Sequence, residues 1–284
     1  MNTPDETSAA PSAAPGRRRP PFLLMLFLVA MVVVPFLFWR GTWFGRTLSE
    51  QETSQYLSLE AKPRQTQHAL VQIGERILRG DSSAKRWYGE LESLVAHPQP
   101  EVRSTLAWVM GQDNQAPAFH AALLRLLEDS DPLVRRNAAL ALVRFGDAGG
   151  RIELRQMLVP FPVTATQGGT VDLRLNVGDT VNTGTLLARI DAGGDEPIEV
   201  RSPVPGRLED WAVMERSPVA AGATLALISP SEEEVWEALR ALFLVGEQED
   251  VELIEPFARG KPRFSDRLRQ QAESTVKAIR QRSE

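Results

Sequence analysis

Residues 132–147, PLVRRNAALALVRFGD, repeat the pattern of residues 100–113, PEVRSTLAWVMGQD. This repetition is the main indication of how the chain folds. The leading proline, the Val-Arg pair that follows and an alanine recur at an offset of 32 residues, and a weaker copy begins at Pro63. Proline favours the first turn of a helix, where its missing amide hydrogen has no partner to lose. The pattern therefore predicts a series of helices that each begin at a proline.

Apolar side chains also follow a helical spacing between these segments, at residues 85–96 and 118–128. A repeat of a few dozen residues built from two helices is typical of an α-solenoid, because each repeat buries its apolar face against the next. The repeated residues resemble HEAT repeats over roughly residues 60–158. We assign residues 50–158 to HEAT-like helical repeats.

The sequence period changes after Leu158. Residues 170–177, TVDLRLNV, alternate apolar with polar side chains, as a half-buried strand requires. The surrounding segment contains an internal duplication, in which Gly169 matches Gly206 at an offset of 37 and Val181 matches Val219 at an offset of 38. Residues 159–230 are therefore predicted to form an all-β domain inserted into the helical array.

The motifs of this domain resemble those of biotinyl and lipoyl carrier domains, which fold as a barrel-sandwich hybrid. Residues 178–184 carry the Gly-Asp-x-Val-x-x-Gly turn, and residues 202–206 carry the Ser-Pro-x-x-Gly turn. Carrier domains attach their cofactor to a lysine at a hairpin tip, but the tip here is Asp191–Glu196, DAGGDE, and no lysine lies between Lys85 and Lys261. The resemblance implies a cofactor-free domain, with a looser second turn where Glu215–Ser217 replace the Gly-Asp pair.

Lysine-free domains of this kind resemble those of the periplasmic adaptor (membrane-fusion) proteins of efflux pumps and type I secretion systems. Those proteins begin with one transmembrane helix and carry a helical hairpin at the tip beside a β-barrel domain. The tip here has six residues, and no adjacent β-barrel domain is visible. The resemblance therefore implies a docking role without the full adaptor architecture.

The N-terminal segment is predicted to anchor the chain in a membrane. Residues 1–19 read as a disordered cytoplasmic tail that ends in three arginines, and residues 20–39 carry no charge. A transmembrane helix at residues 20–40 is expected, since about 20 apolar residues cross a bilayer. The positive-inside rule then predicts an inner (cytoplasmic) membrane protein with a cytoplasmic N-terminus and a periplasmic or extracytoplasmic body. A cleaved signal peptide is the alternative, but no cleavage-site pattern follows the apolar run.

Residues 231–284 are predicted to return to HEAT-like helices, starting at a capping box made by Ser231 and Glu234. The predicted fold class is mainly α with an all-β insert: an N-terminal transmembrane helix, a HEAT-like helical solenoid and an inserted barrel-sandwich hybrid.

The sequence predicts no enzyme, no catalytic residue, no metal site and no cofactor. Cysteine is absent, the three histidines match no ligand spacing, and no G-x-S-x-G motif occurs. The net charge of -5 argues against a nucleic-acid partner. The candidate residues are instead protein-binding ones: Arg103, Arg135, Arg136, Asp191, Asp195 and Glu196. For the arginines we favour an alternative, namely ion pairs within a repeat to Asp and Glu residues of the turns.

The function predicted from these features is that of a membrane-anchored, non-enzymatic scaffold or adaptor. Its protein partner would be a transporter or another complex of the cell envelope. The alternative is a ligand-binding or carrier-type accessory module of a respiratory or cofactor-assembly complex.

Overall fold

The computed structural model describes residues 26–34, 46–194 and 196–283. Residues 26–34 are helical (α1), and none of the helices in the described ranges is long and apolar enough to cross a membrane. The transmembrane helix predicted at residues 20–40 is therefore wrong, and the predicted inner-membrane localisation is not supported. The fold class is corrected to a mostly helical chain with two small antiparallel sheets, without the transmembrane helix. The predicted tail at residues 1–19 lies outside the described residues.

Leu48–Glu284 form one compact unit, whose first half is helical. Its helices before the strands are α2 (Glu50–Tyr56), α3 (Pro63–Leu78), α4 (Tyr88–Ser93), α5 (Pro100–Met110), α6 (Pro117–Leu126), α7 (Pro132–Arg144) and α8 (Arg151–Gln156), with 3₁₀ turns at Ser82–Trp87 and Leu94–Ala96. Four of these helices carry proline in their first turn, as the repeat pattern predicts.

The helices form two layers. α3, α5 and α7 lie side by side, and α4 and α6 pack behind them. Leucine, alanine and aromatic side chains fill the space between the layers, and Trp87 and Phe119 are among the largest side chains that are fully buried there. Stacked two-helix repeats of this kind bury a continuous core because each repeat covers the apolar side of its neighbour.

Eight strands follow α8. They are β1 (Phe161–Thr164), β2 (Gly169–Leu173), β3 (Thr180–Val181), β4 (Leu186–Asp191), β5 (Ile198–Arg201), β6 (Gly206–Trp211), β7 (Pro218–Val219) and β8 (Thr224–Ser229). They form two small antiparallel sheets, with strand orders β1-β8-β6-β3 and β5-β4-β2-β7, around one core of valine, leucine and isoleucine. We call Phe161–Ser229 the β-module.

The two halves of the β-module are equivalent, as the sequence duplication indicates. Exchanging β1–β4 with β5–β8 converts the strand order of one sheet into that of the other. Both halves also contain the same irregularity: the register shifts at Leu187 in β4 and at Leu225 in β8, which are 38 residues apart. The turn at Glu215–Ser217 is kept, because Arg216 adopts a φ of 59° where the first half has Gly178 at a φ of 98°.

Three more helices complete the unit: α9 (Glu232–Val245), α10 (Val251–Ala258) and α11 (Asp266–Ser283). α9 begins at the predicted capping box, in which the Ser231 side chain accepts from the Glu234 amide and Glu234 accepts from the Ser231 amide. α9 also contacts α7 and α8. Helices before and after the β-module therefore share one hydrophobic core.

Candidate functional site

Arg136 lies where the helices meet the β-module. It projects from α7, is only 5% exposed, and forms an ion pair with Glu234 in the first turn of α9. Its guanidinium carbon is 5.6 Å from the centre of the Phe161 ring at the start of β1. Burial lowers the pKa of Arg136, and the Glu234 carboxylate counteracts this effect. Arg136 therefore links α7, α9 and the start of β1. Its burial was not predicted from the sequence.

Arg103 and Arg135 occupy equivalent places in successive repeats. The Nε of Arg103 is 2.6 Å from Asp129 Oδ2 and its Nη2 is 2.8 Å from Oδ1, while its Nη1 donates to the carbonyl oxygens of His97 and Pro98. Arg135 repeats the arrangement with Glu153 at 2.8 Å and with the carbonyl oxygens 32 residues further along the chain. Both arginines are therefore paired with carboxylates, although Glu153 lies in α8 and not in a turn. A role of these arginines in partner binding stays a prediction.

A second series of contacts links the same repeats. The Tyr88 hydroxyl is 2.7 Å from Asp113 Oδ2, and His120 Nε2 is 2.6 Å from Asp147 Oδ2. The amide of Gly149, the largest influence, and then His120 hold the pKa of Asp147 below its usual value. Neither pair was identified from the sequence. The recurrence of Tyr88 and His120 at an offset of 32 was the available signal.

The hairpin tip between β4 and β5 is exposed. Asp191 Oδ1 accepts from the Gly193 amide at 2.9 Å, Glu196 is open to solvent, and Asp195 lies outside the described residues. Exchange of the two halves relates the end of β4 to the end of β8, where the chain leaves the β-module. The tip therefore lies at the position in the first half that is equivalent to the exit of the chain from the second half. Among the described residues, no hydrogen bond or ion pair joins the tip to Arg103, Arg135 or Arg136.

A groove crosses α5, α7 and α9, and we call it the Trp108 groove. It has a volume of about 410 Å³. Its lining residues are Trp108, Gly111, Gln112, Asn137, Leu140, Ala141, Val143, Arg144, Glu237, Arg240, Ala241 and Leu244. This surface was not identified from the sequence, because the β-module separates α9 from α5 and α7 along the chain.

Comparisons with known proteins support the helical part of this description. A family model described as HEAT repeats matches residues 90–160. This range includes α5, α6, α7 and α8, so the predicted HEAT repeats are confirmed there. No curated protein matches the sequence.

Two solved structures show a partial similarity. They are the apo and product-bound structures of the ectoine utilization protein EutE (DoeB) from Ruegeria pomeroyi, at 16% and 17% identity, each with a TM-score of 0.23. Each alignment covers 35% of this chain and 33% or 32% of the other chain. The match thus spans about a third of those proteins, and at this TM-score it carries no argument about fold or function.

Proposed function

We propose that this protein is a non-enzymatic scaffold that binds a protein partner through its HEAT-like helices and its β-module. One observation carries the proposal: consecutive two-helix repeats stack so that α5, α7 and α9 leave a common exposed face. Extended surfaces of this type are what helical-repeat proteins use to hold other proteins. The proposal keeps the predicted scaffold role and drops the membrane anchor.

The β-module acts in this proposal as a docking head of the carrier-like, barrel-sandwich type. Its two equivalent half-units and its glycine turns support that assignment. Its tip has no lysine, so it offers no amine for biotin or lipoate. The buried Arg136–Glu234 pair holds the base of the module against α7 and α9, which gives the tip a fixed position relative to the helices.

The ionisable residues support a structural rather than a catalytic role. The guanidinium groups of Arg103 and Arg135 and the carboxylates of Asp129 and Glu153 pair with one another. Within the described ranges no group of three or more His, Asp or Glu side chains is arranged to hold a metal ion.

The test is affinity purification of the tagged full chain after chemical cross-linking in the cells that produce it. The wild-type chain is compared with Glu196→Lys at the tip and with Glu128→Lys as the matched control, since both glutamates are exposed. A specific protein partner should be recovered with wild type and control and be depleted with the tip variant. Recovery of no specific partner in any sample would contradict the scaffold function. Equal recovery in all samples would contradict the docking-head role alone.

A further inference from the structure

The Trp108 groove exposes apolar side chains that a folded protein ordinarily covers. Trp108 on α5 is 40% exposed and Leu244 on α9 is 60% exposed, with Leu140 of α7 between them. The Trp108 ring packs against Gly74 of α3, where an added Cβ would come within 2.7 Å of the indole. The indole is thus held in place from behind while part of it remains open to the groove.

The groove has the size and shape of a binding site for a side chain. Its volume of about 410 Å³ lies in the range of ligand pockets, about 300–1,000 Å³, and exceeds what one leucine or phenylalanine side chain requires. Tryptophan is among the residues that contribute most at protein interfaces, because it buries a large area with few rotatable bonds. An apolar side chain placed over Trp108 and Leu140 would therefore be the anchor of a bound segment.

The charged residues of the groove indicate what lies beside that anchor. Arg144 donates to the Gln112 side chain at 2.8 Å. In the described part of the chain neither Arg144 nor Arg240 is in ion-pair contact with a carboxylate, although Glu237, one turn earlier on α9, attracts Arg240 electrostatically. This differs from Arg103, Arg135 and Arg136, which are all paired with carboxylates. A guanidinium without a carboxylate partner at the edge of an apolar groove is suited to a bidentate contact with an incoming carboxylate.

The one acidic residue that lines the groove, Glu237, determines which end of the groove can receive acidic side chains of the partner. Glu237 lies one turn before Arg240 on α9, so the groove is negative towards the start of α9 and positive towards its end. A carboxylate of the partner would be repelled at Glu237 and attracted at Arg144 and Arg240. The acidic positions of the segment should therefore lie at the end of the groove formed by Arg144, Arg240 and Leu244.

We infer that the Trp108 groove binds a segment of a partner protein in which an apolar side chain is followed or preceded by acidic ones. The apolar side chain occupies the space over Trp108 and Leu140, and the acidic side chains pair with Arg144 and Arg240. The inference rests on the proposed scaffold function and names the chemistry of the partner and the surface that recognises it.

The test uses a phage-displayed library of random 12-residue peptides selected on the immobilised full chain. Enriched peptides should contain Asp or Glu near Leu, Ile, Phe or Trp. Synthetic copies, measured by fluorescence anisotropy, should bind the Arg144→Glu/Arg240→Glu variant about 10-fold or more weakly, since charge pairing becomes repulsion. Trp108→Ala should weaken binding by about 10-fold or more, as loss of an interface anchor does. Arg125→Glu reverses the charge of an exposed side chain on α6, outside the groove. It is the matched control and should bind the peptides as tightly as wild type.

Thermal unfolding followed by circular dichroism establishes that each variant is folded, and the double arginine variant tests the groove even if Trp108→Ala is destabilised. The inference is overturned if no peptide is enriched, if enriched peptides lack acidic residues, or if the double variant binds them as tightly as wild type. It is also overturned if wild type self-associates through the groove and the double variant does not, because the occupant is then a second copy. None of these results bears on partner recovery by cross-linking, so the two proposals fail separately.

Discussion

At the scale of single residues, Arg136 and Glu234 decide whether the base of the β-module is stable. Both side chains are withdrawn from solvent, so an unpaired member would remain charged in the protein interior. Glu234→Gln removes the charge yet keeps a side chain that can complete the capping box with Ser231. We expect Glu234→Gln to lower the free energy of unfolding by about 3–5 kcal/mol, because breaking one partner of a buried pair leaves an uncompensated charge.

The control for this prediction is the double variant Arg136→Met/Glu234→Gln. It should recover part of the loss, because an apolar side chain no longer needs a counter-ion. Urea denaturation of the single and double variants measures both effects. A double variant that is no more stable than Glu234→Gln would contradict the prediction.

Arg216 is the residue at which backbone conformation and residue type conflict. Its φ of 59° is in the left-handed region, where a side chain costs about 1–2 kcal/mol, and the equivalent position in the first half is Gly178. Its side chain is 87% exposed, so little packing is lost on replacement. We expect Arg216→Gly to raise the free energy of unfolding by about 0.5–1 kcal/mol, after the greater flexibility of glycine in the unfolded chain is deducted. Arg174→Gly, at a partly exposed position outside the left-handed region, should not be stabilising.

At the scale of elements, the start of β6 depends on the absence of a side chain at Gly206. A Cβ there would overlap the carbonyl oxygen of Ser229 on the neighbouring strand β8 and would lie 2.9 Å from Ile228 Cγ2. The sequence predicted that Gly206 is needed for a turn, but the structure places it in a strand that approaches its neighbour closely. Gly169 of β2 meets Ile190 and Asp191 in the same way, which again relates the two halves.

We expect Gly206→Ala to destabilise the β-module by about 1–3 kcal/mol, as overpacking with backbone shifts does, since the strands must separate to admit the methyl group. Gly194→Ala at the hairpin tip is the matched control, because its Cβ would meet no atom within 4 Å. Hydrogen exchange at the amides of β6 and β8 provides the measurement. Equal protection in the two variants would contradict the prediction.

The helical elements were largely predictable, because their signals are local. A proline in the first turn and the capping box at Ser231 each indicate where a helix begins. Both signals involve residues within one helical turn of each other. Alternation in residues 170–177 likewise predicted a strand, and β2 covers its first part as far as Leu173. The transmembrane helix predicted from the hydropathy of residues 20–40 was wrong, since no helix in the described residues is long and apolar enough to cross a membrane.

At the scale of the whole molecule, stability should fall in acid because several groups bind protons less readily in the folded chain. Burial lowers the pKa of His97 below its ordinary value of 6.5, and its Nε2 has no hydrogen-bond partner. Burial opposes ionisation of Asp129, but hydrogen bonds from Arg103 and from the Asp131 amide bring its pKa below 3.8. The contribution of neutral His97 to the free energy of unfolding is therefore present above pH 6.5 and is lost as the pH falls through the lowered pKa of the folded state. The contribution of ionised Asp129 is lost in the same way below pH 3.8.

We expect the free energy of unfolding to decline from pH 6.5 downwards, by at most about 1.4 kcal/mol per pH unit for each titrating group. His97→Asn should flatten the upper part of this decline, because the amide oxygen can replace Nδ1 as acceptor for the Gln99 amide but does not titrate. Urea denaturation at pH 7, 5.5, 4.5 and 3.5 measures the profile. An unchanged slope between pH 6.5 and 4.5 in His97→Asn would contradict the assignment to His97.

The sequence by itself determined where helices begin, that the repeats recur every 32 residues, that the β-module is built from two similar halves, and that its tip lacks a lysine. These features depend only on residues that are close in the sequence or on patterns that recur along it. Only the tertiary structure decided that Arg136 is buried against Glu234, 98 residues away, and that Trp108 and Leu244 border one groove. Such contacts depend on how the helices stack on either side of the β-module, and no local spacing encodes that.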